Sequence, residues 1–114
     1  MDSIVSQWRM DMLFIETDIF TEDVKELLTD DDYREFQQFL ASNPGWGDVI
    51  PHTGGLRKIR WSACGKGKRG GVRVIYFYKV SASQIRLLLI YKKGVQDDLS
   101  MDEKQQLRAL NEGW

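Results

Sequence analysis

A single cysteine, Cys64, is the whole thiol content of the chain. It excludes an internal disulfide and a cysteine-based zinc site, and it suits a reducing compartment. Histidine is as scarce. His52 stands alone in a glycine-rich loop, and without a partner set it is expected to be incidental rather than an acid–base catalyst. Long apolar runs are missing too. A run such as Leu87 to Tyr91 falls far short of the ~20 residues a membrane helix needs. The opening residues, MDSIVSQWRMDM, carry acids and no continuous apolar core, so a secretory signal is not expected. These absences together predict a cytoplasmic protein without a membrane partner.

The most informative absence is one of sign. Residues 51–96 contain eleven basic side chains and no Asp or Glu. Residues 1–50 carry three basic side chains against twelve acidic ones, and residues 97–114 carry two against five. A net charge of −1 conceals this segregation. Asymmetry of this kind points to an anionic partner held on one face. At 114 residues the chain is one domain, able to bury roughly two-thirds of its unfolded surface.

Hydrophobic spacing predicts the elements. Residues 1–11 read as an N-terminal extension in which Ile4, Val5 and Trp8 make one short amphipathic turn; the folded unit spans 12–114. Met12 to Glu16 is a first strand. Thr21 to Leu28 is a helix capped by Thr21, with Phe20, Val24, Leu27 and Leu28 as its buried stripe. A second helix follows from Thr29 to Asn43, burying Tyr33, Phe36, Phe39 and Leu40, and Asn43-Pro44-Gly45 ends it. A turn-rich loop then leads to three strands: Leu56 to Ser62, Val72 to Val80, and Gln84 to Lys93. The centre of the last, LLLIY, is apolar on both faces and belongs mid-sheet. Ser100-Met-Asp-Glu103 is a capping box that opens a final helix. The predicted class is α+β, in the order β-α-α-β-β-β-α, with a mostly antiparallel sheet and helices packed on one face.

Alternation puts Lys58 and Arg60 on one face of their strand, and Arg73 joins them from the next. Cations gathered on a face without carboxylates repel unless an anion sits among them, so phosphate binding is expected over a merely solvated surface. Aromatic residues interleave with the charges: Trp61, Tyr76, Phe77, Tyr78 and Tyr91. Rings of this kind stack on bases of single-stranded RNA. Tyr76 and Tyr78, on the valine-rich face, are assigned to the core, and Tyr91 to an accessible position. The loop GKGKRGG lacks the Walker pattern and precedes no helix, so it is read as a flexible clamp on a nucleic-acid backbone through Lys66, Lys68 and Arg69. Cys64, beside it, has no acid–histidine set and is read as an incidental thiol.

The phrases GDVIPHTGG, LRKIR, GKGKRGGVRVIYFY and LLLIYKKGVQDDLS, in this order of elements, resemble the RelE/ParE superfamily of type II toxin–antitoxin toxins. The likeness is strongest to the HigB-type host-inhibition toxins, and it spans roughly Met12 to Trp114. It implies an endoribonuclease that cuts mRNA in the ribosomal A site by attack of the substrate's own 2′-OH on the adjacent phosphate, with no metal and no small-molecule cofactor. Lys58 and Arg60 fall where the family's paired basic residues lie. Arg73 matches the arginine that stabilises charge on the transferring phosphate. Lys93 matches a basic residue after the last strand, a candidate acid for the 5′-oxygen. The family often has a stacking tyrosine a few residues further on; Leu99 stands there, and Tyr91 is the substitute. Arg57, Lys66, Lys68, Arg69 and Lys92 are candidate contacts to mRNA and ribosomal RNA. The implied protein partner is a helix-turn-helix antitoxin, and the acidic helices are either solvated outer faces or part of its docking surface. Two alternatives remain open: a gyrase-poisoning toxin of the ParE branch, and a non-catalytic RNA-binding module.

Overall fold

Strand edges decide the topology of this chain. The computed structural model describes residues 11–62, 71–92, 94 and 98–114, and residues 3–9 by backbone alone. Among these it forms β1 (Ser3–Arg9), β2 (Met12–Thr17), α1 (Asp18–Leu27), α2 (Asp30–Ser42), β3 (Asp48–Val49), β4 (Arg57–Trp61), β5 (Val72–Lys79), β6 (Gln84–Lys92) and α3 (Met101–Glu112). The strands make one sheet in the order β1-β2-β6-β5-β4-β3, antiparallel except for the parallel pair β2–β6. The α+β class and the mostly antiparallel sheet therefore stand as the sequence predicts. The mid-sheet place of LLLIY holds as well, since β6 lies between β2 and β5.

Three local expectations need correction. Ser3–Arg9 is a strand rather than an amphipathic turn, paired with β2 from Ser6↔Ile15 to Arg9↔Met12. An unpaired β2 edge would leave a row of free amides and carbonyls, and a reversal at Asp11, in the left-handed region with φ of 68°, brings the N-terminal segment back to fill it. Helix α1 starts at Asp18 and not at Thr21. Its cap is Thr17, whose Oγ1 accepts from the Phe20 amide at 3.2 Å while donating to the Leu88 carbonyl at 2.9 Å. One hydroxyl thus closes the helix end and fastens it to β6. Finally, the helices do not share one face of the sheet.

Helices α1 and α2 pack on one face. Phe20, Val24, Leu28, Phe36 and Leu40 meet Ile59, Val72, Val74, Tyr76, Ile85 and Leu87 there. Each fully buried side chain of this size contributes about 1.5–3 kcal/mol relative to exposure. Helix α3 lies against the opposite face, where Leu107, Leu110 and Trp114 pack over Leu56, Ile75, Leu88 and Tyr91. Its start is the predicted capping box, Ser100 with Glu103. Its end is held by Arg86, whose Nη1 donates to the Asn111 carbonyl at 3.1 Å and to Asn111 Oδ1 at 3.0 Å. The guanidinium sits 5.6 Å from the Phe77 ring and 5.2 Å from the Trp114 ring. Burial lowers its pKa below the usual arginine value, and the negative end of the helix dipole compensates the charge. Arg86 is thus a structural cation within the basic stretch. Among the described residues, no helix is long and apolar enough to cross a membrane.

Candidate functional site

The site is assembled across three strands. Arg60 stands directly opposite Arg73, and Arg73 directly opposite Tyr91 on β6. Opposed residues in antiparallel strands share a face, with Cβ atoms about 4.5–5.5 Å apart. Arg60, Arg73 and Tyr91 therefore form one row, and Lys58 is the next residue of β4 on that face. Like charges directly opposed cost stability.

This row runs from solvent into the interior. Arg60 is exposed, whereas Arg73 and Tyr91 are only 9 % and 8 % exposed. The accessible Tyr91 expected from its place at a strand end is not what the fold produces. Its ring packs with Leu56, Ile75, Leu88 and Leu99, so it is a core member rather than a platform for a base. Leu99 is buried in the same cluster. Trp61, Tyr76 and Tyr78 lie on the opposite face with α1 and α2, and Phe77 packs under Arg86.

Arg57 and Lys92 do not join the row. Arg57 is in register with Tyr76, on the α1–α2 face, and Lys92 is in register with Val72 on that same face. Lys66, Lys68, Arg69 and Lys93, with Cys64, lie outside the described residues. His52 is exposed in the loop before β4, in the left-handed region with φ of 67°.

The face is not free of carboxylates, although Gly54 to Lys93 contains none. Asp48 of β3 is the cross-strand partner of Lys58. Asp98, from the segment before α3, places Oδ1 3.7 Å from Lys58 Nζ. Neither is visible as a neighbour in the linear charge pattern, because β3 and the approach to α3 reach Lys58 only in the folded chain. The Lys58–Asp98 pair is solvent-exposed on its acidic side, so it contributes about 0–1 kcal/mol to stability.

Two open grooves meet at Lys58. One, of about 490 Å³, is bordered by Asp48, Ile50, Lys58, Asp98, Leu99 and Lys104. The other, of about 570 Å³, is bordered by Trp46, Gly47, Asp48, Lys58, Ile59 and Arg60. Lys104 and Trp46 are additions that the charge pattern misses. Trp46 does carry a signal in retrospect, a lone tryptophan between Gly45 and Gly47.

The loop that holds Trp46 is fixed by polar groups from the neighbouring strands. Tyr76 Oη accepts from the Gly47 amide at 2.9 Å and donates to the Pro44 carbonyl at 2.8 Å. Arg57 Nη1 donates to the carbonyls of Gly45, at 3.1 Å, and Gly47, at 2.7 Å. The Trp46 amide donates to the Asn43 carbonyl at 3.0 Å. A Cβ on Gly47 would sit 2.9 Å from the Lys58 carbonyl and from the Tyr76 ring, so only glycine fits. Burial raises the Tyr76 pKa above the ordinary phenol value, keeping the donor to Pro44 protonated.

A comparison of the sequence with protein-family models finds no match.

Proposed function

We propose that the chain is a ribosome-dependent mRNA endoribonuclease, the toxin of a type II toxin–antitoxin system similar to the RelE and HigB-type toxins, acting in the cytoplasm. The observation that carries this is the cross-strand pair Arg60↔Arg73, with Lys58 on the same face and a groove open beside it. Cleavage by the neighbouring 2′-OH forms an O2′–P bond, builds a pentavalent phosphorane, and breaks the P–O5′ bond. Negative charge grows on the non-bridging oxygens, and cations fixed in advance stabilise it without reorganising. Arg60 meets the phosphate from the solvent side. Arg73 adds positive charge from behind, in low-dielectric surroundings where charge acts more strongly. The 2′-OH proton passes to solvent water, and Lys58, an ammonium beside them and paired with Asp98, adds a third positive charge at the phosphate. Lys93 is the candidate to protonate the 5′-oxygen, a role that rests on the resemblance alone.

The partners are mRNA in the ribosomal A site, with ribosomal RNA contacts from Lys66, Lys68 and Arg69, and a helix-turn-helix antitoxin. The test is cleavage of a defined message in a purified translation reaction. Arg60→Ala is expected to slow it by about 10²–10³-fold, the usual loss for one charge-stabilising group. Unchanged cleavage by Arg60→Ala removes this mechanism.

A further inference from the structure

Trp46 is the exposed aromatic ring that borders the groove of Lys58 and Arg60, and the fold holds it there deliberately. It is 64 % exposed. Its ring meets the edge of Phe39, at 5.5 Å between centroids and 82° between planes. An exposed tryptophan in an unconstrained turn would need no explanation. This one is flanked by glycines whose backbone groups are fixed by Tyr76 and Arg57, from strands β5 and β4. Polar groups of β4 and β5 are thereby committed to placing a large apolar side chain in water, beside cations that can hold a phosphate.

We infer that Trp46 is a base-binding subsite: a nucleobase of single-stranded RNA stacks on the indole while the adjoining phosphate lies along the groove toward Arg60 and Lys58. Groove and ring border the same space, since Trp46, Lys58 and Arg60 line it together. Every base has a π-face, so stacking of this kind tolerates many sequences and is worth most on an unpaired strand. The rigid loop lowers the cost of ordering the ring on binding. The buried Tyr91 leaves this role unfilled on the strands themselves. The inference rests on the proposed grip of Arg60 and Lys58 on an RNA backbone.

The experiment compares two hexanucleotide probes at low salt, one of natural single-stranded RNA and one with abasic positions throughout. Binding is followed by tryptophan emission and by fluorescence anisotropy of a labelled probe. For the native protein, natural RNA should quench the emission and bind about ten-fold or more tightly than the abasic probe. Trp46→Ala should erase that difference and leave abasic binding unchanged, while Trp46→Phe should retain part of it. Equal binding of the two probes by the native protein, or an undiminished preference in Trp46→Ala, overturns the subsite while leaving the phosphate grip intact. Failure of the native protein to bind either probe overturns both.

Discussion

Lys58 shows how a residue's surroundings revise its chemistry. In the linear sequence it belongs to a run of cations; in the fold it has Asp48 across the ladder and Asp98 at 3.7 Å. A phosphate arriving at Lys58 must displace the Asp98 carboxylate or share the ammonium with it. Asp98→Asn is therefore expected to tighten binding of a short RNA by up to about five-fold at low salt, the scale of an exposed ion pair. Its stability should change by less than about 0.5 kcal/mol. Weaker binding, measured by anisotropy, would mean instead that Asp98 positions Lys58 for the substrate. The alternation that puts Lys58, Arg60 and Arg73 together was legible because a period of two is fixed by strand geometry. The two carboxylates were not, since they come from an edge strand of two residues and from a loop, where no periodicity operates. Tyr91 failed for a related reason. A position at the end of a strand does not report what a later helix and Leu99 will cover.

At the scale of elements, the loop from Asn43 to Gly47 is held by the Tyr76 phenol together with Arg57. Tyr76→Phe leaves the Gly47 amide and the Pro44 carbonyl without their partner, and unfolding in denaturant should show a loss of about 1–3 kcal/mol. Its pH dependence has a definite sign. The folded pKa of Tyr76 is raised above the ordinary 10.0, so its stabilising contribution is present below that value and lost as pH rises through the folded pKa. The native protein should therefore lose stability above about pH 10. Tyr76→Phe should lack that part of the decline; an equally steep decline in the variant would contradict the assignment. The capping signal was readable at α3, where the Ser100–Glu103 box stands as expected. At α1 two threonines compete for the cap. Thr17 takes it because β2 ends there and its hydroxyl also reaches Leu88, a tertiary contact that spacing cannot reveal.

For the whole molecule, charge segregation along the chain maps only partly onto the two faces of the sheet. Helices α1 and α2 carry acids on their outer surfaces and the opposite face holds the Arg60–Arg73 row, while Arg57 and Lys92 stand on the α1–α2 side and Asp48 and Asp98 beside Lys58. Sequence patterning gave the sheet's alternation and its central strand. It did not reveal that α3 crosses to the far side, because amphipathic spacing says only that a helix has an apolar stripe, not which face receives it. If the cationic row grips RNA, affinity should fall by about 10³-fold or more between 50 and 200 mM salt, for six or more phosphate contacts. A flat salt dependence would point to a protein target such as gyrase. The most direct measurement is sequencing of mRNA 5′ ends after brief induction of the native protein beside Arg73→Ala, with the variant's fold checked by circular dichroism. New ends within translated codons, present for the native protein and absent for the folded variant, are the predicted result. Growth arrest by the native protein with transcripts left intact would contradict it.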